Sequence, residues 1–230
     1  MVLNIIKIIL VTGVYGYRLI GKSEEEKNKI KQIWGTKILL LLGLELSVMG
    51  SFEQNQNQII VGNHISFLDI PVLLAVCPNA VFIAKDALKF WPIIGSSAKL
   101  AGTIFIARTQ KNSRSAGRSQ IISHLNGVKN TSIVVFPSGT TSLEEIRPWK
   151  KGIFEVAKDL SIPIQSFKLS YEPLRECAYI DHDIFLKQLY SILKMKKKRV
   201  TLTWLEHKLS TNEPMHIAEE LRMKVLEYVI

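Results

Sequence analysis

At 230 residues, with 47 % hydrophobic and 22 % charged side chains, the chain can form one ordinary domain with a sizeable core, or a domain plus an appendage. That composition excludes a disordered, collagen-like or disulfide-framework protein. Thirty Lys and Arg against twenty Asp and Glu leave a charge of +10, which favours acidic partners, and a mean hydropathy of +0.15 argues for a membrane surface or phosphorylated substrate over nucleic acid.

Val2 to Ile20 is mostly apolar, interrupted by Asn4, Lys7 and Arg18. As a helix it would run about 28 Å, close to the hydrocarbon thickness of a bilayer. Lys7 and Arg18 sit near its ends, where their stems can reach the interface. A membrane-inserted helix is preferred over an interfacial or core helix. A cleaved signal peptide is disfavoured because no small-residue cleavage site follows. Ser23-Glu24-Glu25-Glu26 reads as a capping box, with Ser23 as N-cap and Glu26 reaching back. The helix behind it places Ile30, Ile33, Trp34, Ile38, Leu41 and Leu42 at three- and four-residue steps, with Lys27, Lys29, Lys31 and Lys37 mainly elsewhere. Such a helix lies along a bilayer or packs on its own domain, and its end, Ile38 to Leu46, is apolar enough to enter lipid partially. Residues 1–48 are therefore expected to form membrane-associating helices ahead of an α/β domain over 49–230.

Short apolar strands are expected at 59–61, 80–84, 103–107, 132–136, 162–164 and 200–204, with helices at 68–76, 113–125, 155–160 and 214–230 between and after them. Strands alternating with helices define an α/β layered domain whose strands are buried runs. Cys77 and Cys177 lack metal-ligand spacing and give no sign of an oxidising compartment. The basic cluster Lys194, Lys196, Lys197, Lys198 and Arg199 either attracts anionic headgroups or is a solvated loop.

Three strand ends carry chemistry. Gly62-Asn63-His64-Ile65-Ser66-Phe67-Leu68-Asp69 places a histidine and a carboxylate where a buried strand turns into a helix. Across that turn Asp69 can hold the Nδ1 proton of His64 and leave Nε2 as a base; the plainer alternative is a helix cap beside a core histidine. Arg108 leaves the run Thr103-Ile104-Phe105-Ile106-Ala107, and its fork can grip a phosphate or simply be solvated. Phe136-Pro137-Ser138-Gly139-Thr140-Thr141-Ser142 offers a tight turn whose N–H groups can face an oxyanion.

In this order the segments resemble the glycerolipid acyltransferase family, which includes the bacterial 1-acylglycerol-3-phosphate acyltransferases. His64 and Asp69 match its HxxxxD motif, Phe105, Ile106 and Arg108 its second block, Phe136-Pro137-x-Gly139-Thr140 its third, and Ile162-Pro163-Ile164 its fourth. Lys85 and Lys151 stand where family members carry basic residues, and the N-terminal helix pair is also like that of bacterial members. The resemblance implies a mixed, largely buried sheet flanked by helices. It also implies a membrane-bound enzyme, on the cytoplasmic face of the inner or plasma membrane, that moves a fatty acyl group from acyl-CoA or acyl-carrier protein to the free hydroxyl of a lyso-lipid. Lysophosphatidic acid is the first expectation for the acceptor. His64 and Asp69 would be catalytic, and Lys85, Phe105, Arg108, Ser138, Gly139, Thr140 and Lys151 would bind substrate. No metal, no cofactor beyond the acyl donor and no nucleic acid are expected.

The third block departs from the family pattern, commonly Phe-Pro-Glu-Gly-Thr-Arg-Ser: Ser138 replaces the glutamate and Thr141 the arginine. This removes a carboxylate near the acceptor and one phosphate contact, so a lyso-ornithine lipid or a lysophospholipid stays open as acceptor. Two other readings compete. One is a serine hydrolase using Ser138 or Ser66, weakened by the lack of a Gly-x-Ser-x-Gly elbow and by Pro137. The other is a lipid-binding relative without activity.

Overall fold

The computed structural model describes residues 2–53, 56–107, 113–180, 182–208 and 213–228. Its centre is a seven-stranded sheet built from β1 (Glu45–Met49), β2 (Gln58–Gly62), β3 (Ala80–Lys85), β4 (Ile104–Ile106), β5 (Ser132–Val135), β6 (Ile164–Glu172) and β7 (Arg199–Lys208). The spatial order is β1-β7-β6-β2-β5-β3-β4. From β6 through β4 the neighbours are parallel; β7 runs antiparallel to β6, and β1 lies parallel to β7. The sheet is therefore mixed, and its five parallel strands deliver their C-terminal ends to one edge. That edge is where α/β proteins build their sites.

Every residue of β2 is buried, as expected for a β-branched run at the centre of a covered sheet. The pleat sends Ile60 into one apolar layer and Ile59 and Val61 into the other. The first layer is closed by α1 (Val2–Arg18), α2 (Glu24–Leu42), α3 (Asp69–Val76) and α8 (Phe185–Lys194). The second is closed by α5 (Ser113–Gly127), α6 (Gly152–Leu160) and α9 (Pro214–Glu227), through residues such as Ile121, Phe154 and Leu221.

The capping box forms as expected: Ser23 Oγ accepts from the Glu26 N–H, and Glu26 accepts from the Ser23 N–H. Gly43, at φ 63°, ends α2 in the left-handed conformation that glycine adopts without strain. The chain then enters β1, so of the apolar stretch Ile38 to Leu46 the last residue belongs to a strand, while Ile38, Leu39, Leu42 and Leu44 are buried in the core. α2 packs directly on α3. A Cβ on Gly35 would stand 2.7 Å from the Pro71 carbonyl oxygen and 2.8 Å from the Ala75 nitrogen, so the two backbones touch there.

Residues 2–18 also differ from expectation. α1 packs against α2, α8 and α4 (Ile94–Leu100), burying Ile8, Tyr15 and Gly16. No helix among the described residues is long and apolar enough to cross a membrane. The reading as an inserted helix overlooked a two-sided pattern. Leu3, Ile6, Leu10, Val14 and Tyr17, spaced by three or four residues, form one outward apolar stripe opposite the packed face.

Lys31 of α2 points inward. It is 4 % exposed, its ammonium donates to the Ala80 carbonyl at 3.1 Å, and burial brings its pKa down to about 8. It forms part of the wall of an apolar cavity of about 130 Å³, shared with Tyr15, Trp34, Leu74, Phe82 and Ala98. The expected basic cluster is also divided. Lys198 is buried and donates to the Met195 carbonyl, and Arg199 pairs with Glu45, while Lys196 and Lys197 stay exposed.

Candidate active site

The site starts at the end of β2. A Cβ on Gly62 would lie 2.5 Å from the Phe167 ring, so only glycine lets the strand pass over that ring. Asn63 then uses its side chain as a substitute strand: Nδ2 donates to the Leu169 carbonyl and Oδ1 accepts from the Leu169 N–H, both at 2.8 Å. The pairing of β2 with β6 is thus extended one residue while the backbone turns. His64 emerges at that turn.

Asp69 opens α3 and is completely buried. Its Oδ2 lies 2.7 Å from His64 Nδ1 and accepts from the Ile65 and Ser66 N–H groups at 2.9 and 3.2 Å. Its Oδ1 accepts from the Tyr171 hydroxyl at 2.7 Å. Four donors thus converge on this buried carboxyl group. With an acceptor at Nδ1, that nitrogen carries the proton and Nε2 keeps its lone pair. The imidazole stacks on Phe136, with ring centres 3.9 Å apart and planes 11° apart, and 21 % of its side chain remains exposed. The two residues five apart in sequence are therefore joined through Nδ1, with Nε2 left free toward the sheet edge.

Tyr171 was not foreseen. It comes from β6, 102 residues beyond Asp69, and nothing local marks it in the sequence. Burial, then the neighbouring Asp69 charge, holds its phenol pKa well above the usual value, so it remains a donor. Tyr171→Phe is expected to lower stability by about 1.5–3 kcal/mol, the worth of a hydrogen bond to a charged group, and activity less than loss of Asp69 does. Denaturant unfolding alongside turnover measures both.

β5 brings the third block to the same edge. Gly139, at φ 79°, forms the turn, and its N–H donates to the Phe136 carbonyl at 2.9 Å. That withdraws one of the three N–H groups expected to face an oxyanion. Ser138 is buried and donates to the Thr140 carbonyl at 3.3 Å, whereas Thr140 is half-buried. The Ser142 N–H donates to the His64 carbonyl at 2.8 Å, tying the two loops together. The Lys150 N–H donates to the Pro137 carbonyl at 3.2 Å, which brings Lys151 beside the turn, exposed and paired with Glu155 at 3.0 Å. No hydrogen bond among the described residues joins either candidate serine to His64: Ser66 Oγ is buried without a hydrogen-bond partner, and Ser138 Oγ donates to Thr140.

Lys85 ends β3, exposed, two strands from β2 and so about 10 Å away across the sheet. Phe105 is half-buried on β4, the edge strand, in register with Ala84. Arg108 lies outside the described residues. The structure thus joins His64, Asp69, Phe136 and the Ser138 turn directly, and sets Lys85 and Phe105 farther along the same sheet edge.

The C-terminal edge of the parallel strands thus presents an oriented imidazole beside a glycine turn. The family model Acyltransferase matches residues 45–170, and the chain belongs to this family. It is 28 % identical over 185 residues to the lyso-ornithine lipid O-acyltransferase of Pseudomonas aeruginosa, covering 78 % of this chain and 70 % of that protein. It is 31 % identical over 153 residues to the 1-acyl-sn-glycerol-3-phosphate acyltransferase of Neisseria meningitidis, covering 66 % of this chain and 59 % of that one. The fold is like that in the crystal structure of the 1-acyl-sn-glycerophosphate acyltransferase PlsC from Thermotoga maritima. There the TM-score is 0.65 at 18 % identity, over 96 % of this chain and 94 % of that one.

Proposed function

We propose that this protein is an O-acyltransferase that moves a fatty acyl group from a thioester to the free hydroxyl of a lyso-lipid, most simply 1-acyl-sn-glycerol-3-phosphate. The observation that carries this is the His64–Asp69 pair, 2.7 Å apart on a completely buried carboxylate. A lipid hydroxyl is a weak nucleophile near neutral pH and needs a base at hydrogen-bond distance. His64 Nε2 takes the hydroxyl proton as the oxygen attacks the thioester carbon, and Asp69 stabilises the imidazolium that forms. The carbon–sulfur bond then breaks, and the departing thiolate recovers the proton from His64. N–H groups of Ser138 and Thr140 are the proposed donors to the developing oxyanion. Lys85, Arg108 and Lys151 are the proposed phosphate contacts, and acyl-CoA or acyl-carrier protein the proposed donor.

The same reading puts the protein on a bilayer, at the cytoplasmic face. Both substrate chains prefer lipid, by about 0.8 kcal/mol per methylene, so an enzyme resting on the membrane takes its acceptor laterally. Like the outward stripe of α1, Phe90 and Trp91, just before α4, the helix packed on α1, are exposed. An exposed apolar surface of this kind, with Lys7 and Arg18 beside it, suits an anionic interface.

Mass spectrometry of lipids after incubation with lysophosphatidic acid, lyso-ornithine lipid and neutral lysophospholipids, each with both donor types, tests the proposal. A diacyl product that depends on donor and lyso-lipid together is expected. Thioester hydrolysis alone rejects it.

A further inference from the structure

The third block lacks the carboxylate that the acyltransferase pattern carries at position 138, yet the site does not lack a carboxylate. Glu145, in the loop that follows, is 4 % exposed. Its Oε1 accepts from the indole N–H of Trp149 at 2.8 Å. Its Oε2 is buried and has no hydrogen-bond partner among the described residues. Burial pushes its pKa up, and the Ser138 hydroxyl, the Trp149 indole N–H, the His64 backbone N–H and the His64 ring when protonated, all close to this carboxyl, offset part of that rise. Its own backbone carbonyl is fixed by Arg222 of α9 at 3.1 Å. A buried carboxyl oxygen with no partner is expensive to maintain. Here it stands against the two loops that make up the active site.

We propose that Glu145 is a positioning residue of the acyl-transfer site, bringing in from seven residues downstream a carboxylate that the small Ser138 side chain makes room for. It braces the His64 backbone and the Ser138–Thr140 turn from behind, and so fixes where the imidazole meets the acceptor hydroxyl. Ser138 and Glu145 are thus one exchange: a glutamate at 138 would occupy the space that the Glu145 carboxyl fills. This rests on the acyl-transfer function proposed above, and it names a residue that the block pattern does not.

Glu145→Gln is the informative substitution, since its amide oxygen still accepts from Trp149 while the charge is gone. It is expected to lower kcat about 10²-fold, the loss that a small misplacement of reacting groups produces, with KM for both substrates little changed. Glu145→Ala is expected to do the same. Adding Ser138→Glu to Glu145→Ala is expected to recover most of kcat, because the carboxylate returns from the other side of the same space. Ser138→Glu in the otherwise unaltered protein is expected to lower both stability and activity, as two buried carboxylates then compete for one place. Wild-type kcat in Glu145→Gln, or no recovery in a folded double variant, overturns the proposal. A readout independent of turnover is the nitrogen-15 resonances of the His64 ring at fixed pH, expected to move in Glu145→Gln and to return in Ser138→Glu/Glu145→Ala. If the wild-type protein acylates no lyso-lipid, the proposed function falls, and these resonances alone decide: unmoved they overturn the role of Glu145, moved they sustain it.

Discussion

His64→Gln is expected to lower acyl transfer by about 10²–10⁴-fold, the usual worth of a positioned base, with the fold intact because the ring lies at a partly exposed edge of the sheet. Asp69→Asn is expected to fall in the same range for a different reason. An amide nitrogen facing Nδ1 forces the imidazole into the tautomer that keeps its proton on Nε2, where the acceptor hydroxyl must deliver one. Asp69→Leu should instead fail to give a stable protein. It strands the Ile65 and Ser66 N–H groups, the Tyr171 hydroxyl and the His64 ring N–H together, at about 1–3 kcal/mol for each buried donor. Thiol release from the acyl donor, measured beside a thermal melt, separates the two kinds of loss. Unchanged turnover in His64→Gln removes the assigned base.

The contrast between Asp69 and Tyr171 indicates how much a sequence of this kind discloses. The His64–Asp69 spacing is local, so the pair could be named from the sequence beside the plainer alternative of a helix cap, and the resemblance to the acyltransferase blocks favoured it. Tyr171 reaches the same carboxylate from β6, and only the pairing of β2 with β6 makes them neighbours. Glu145 lies close to the third block, but it sits in a loop without periodicity, where nothing separates it from exposed Glu144. Strands rich in Val and Ile were legible for the same local reason. β1 was not, because Glu45–Met49 has four exposed residues out of five, and its membership in the sheet comes from β7. The amphipathic α8 was missed as well, since Phe185–Lys194 has few turn signals to frame it. For α1 a membrane-inserted helix was preferred over an interfacial or core one, whereas one of its two apolar sides meets protein.

Lys31→Met is expected to stabilise the protein by about 2 kcal/mol near pH 7. Holding an ammonium whose pKa falls from 10.5 to about 8 costs about 3 kcal/mol, and the bond to Ala80 offsets about 1 of these. The pH dependence has a definite sign. Between about pH 8 and 10.5 the unfolded chain binds the proton and the folded one does not, so wild-type stability rises with pH across this window. Lys31→Met has no such rise, so its advantage of about 2 kcal/mol should be used up within this window and slightly reversed at the upper end, where the wild type has regained about 3 kcal/mol. Urea unfolding at pH 7 and pH 10 gives both values. A gap that stays constant, or a variant less stable at pH 7, shows that the ammonium is better accommodated than its single bond implies.

The backbone contact at Gly35 has a consequence for how the molecule can be divided. The helix carrying Asp69 has its far side roofed by the N-terminal hairpin, with no side chain between the two at the crossing. Trimming the hairpin to obtain a minimal catalytic fragment would therefore not detach a tether. It would unroof the catalytic helix and leave Leu73 and its neighbours without a cover. On the bilayer surface proposed for this protein, whatever tilts the hairpin would tilt the imidazole with it, so the angle at which the protein lies and the direction from which an acceptor arrives would be set by one joint.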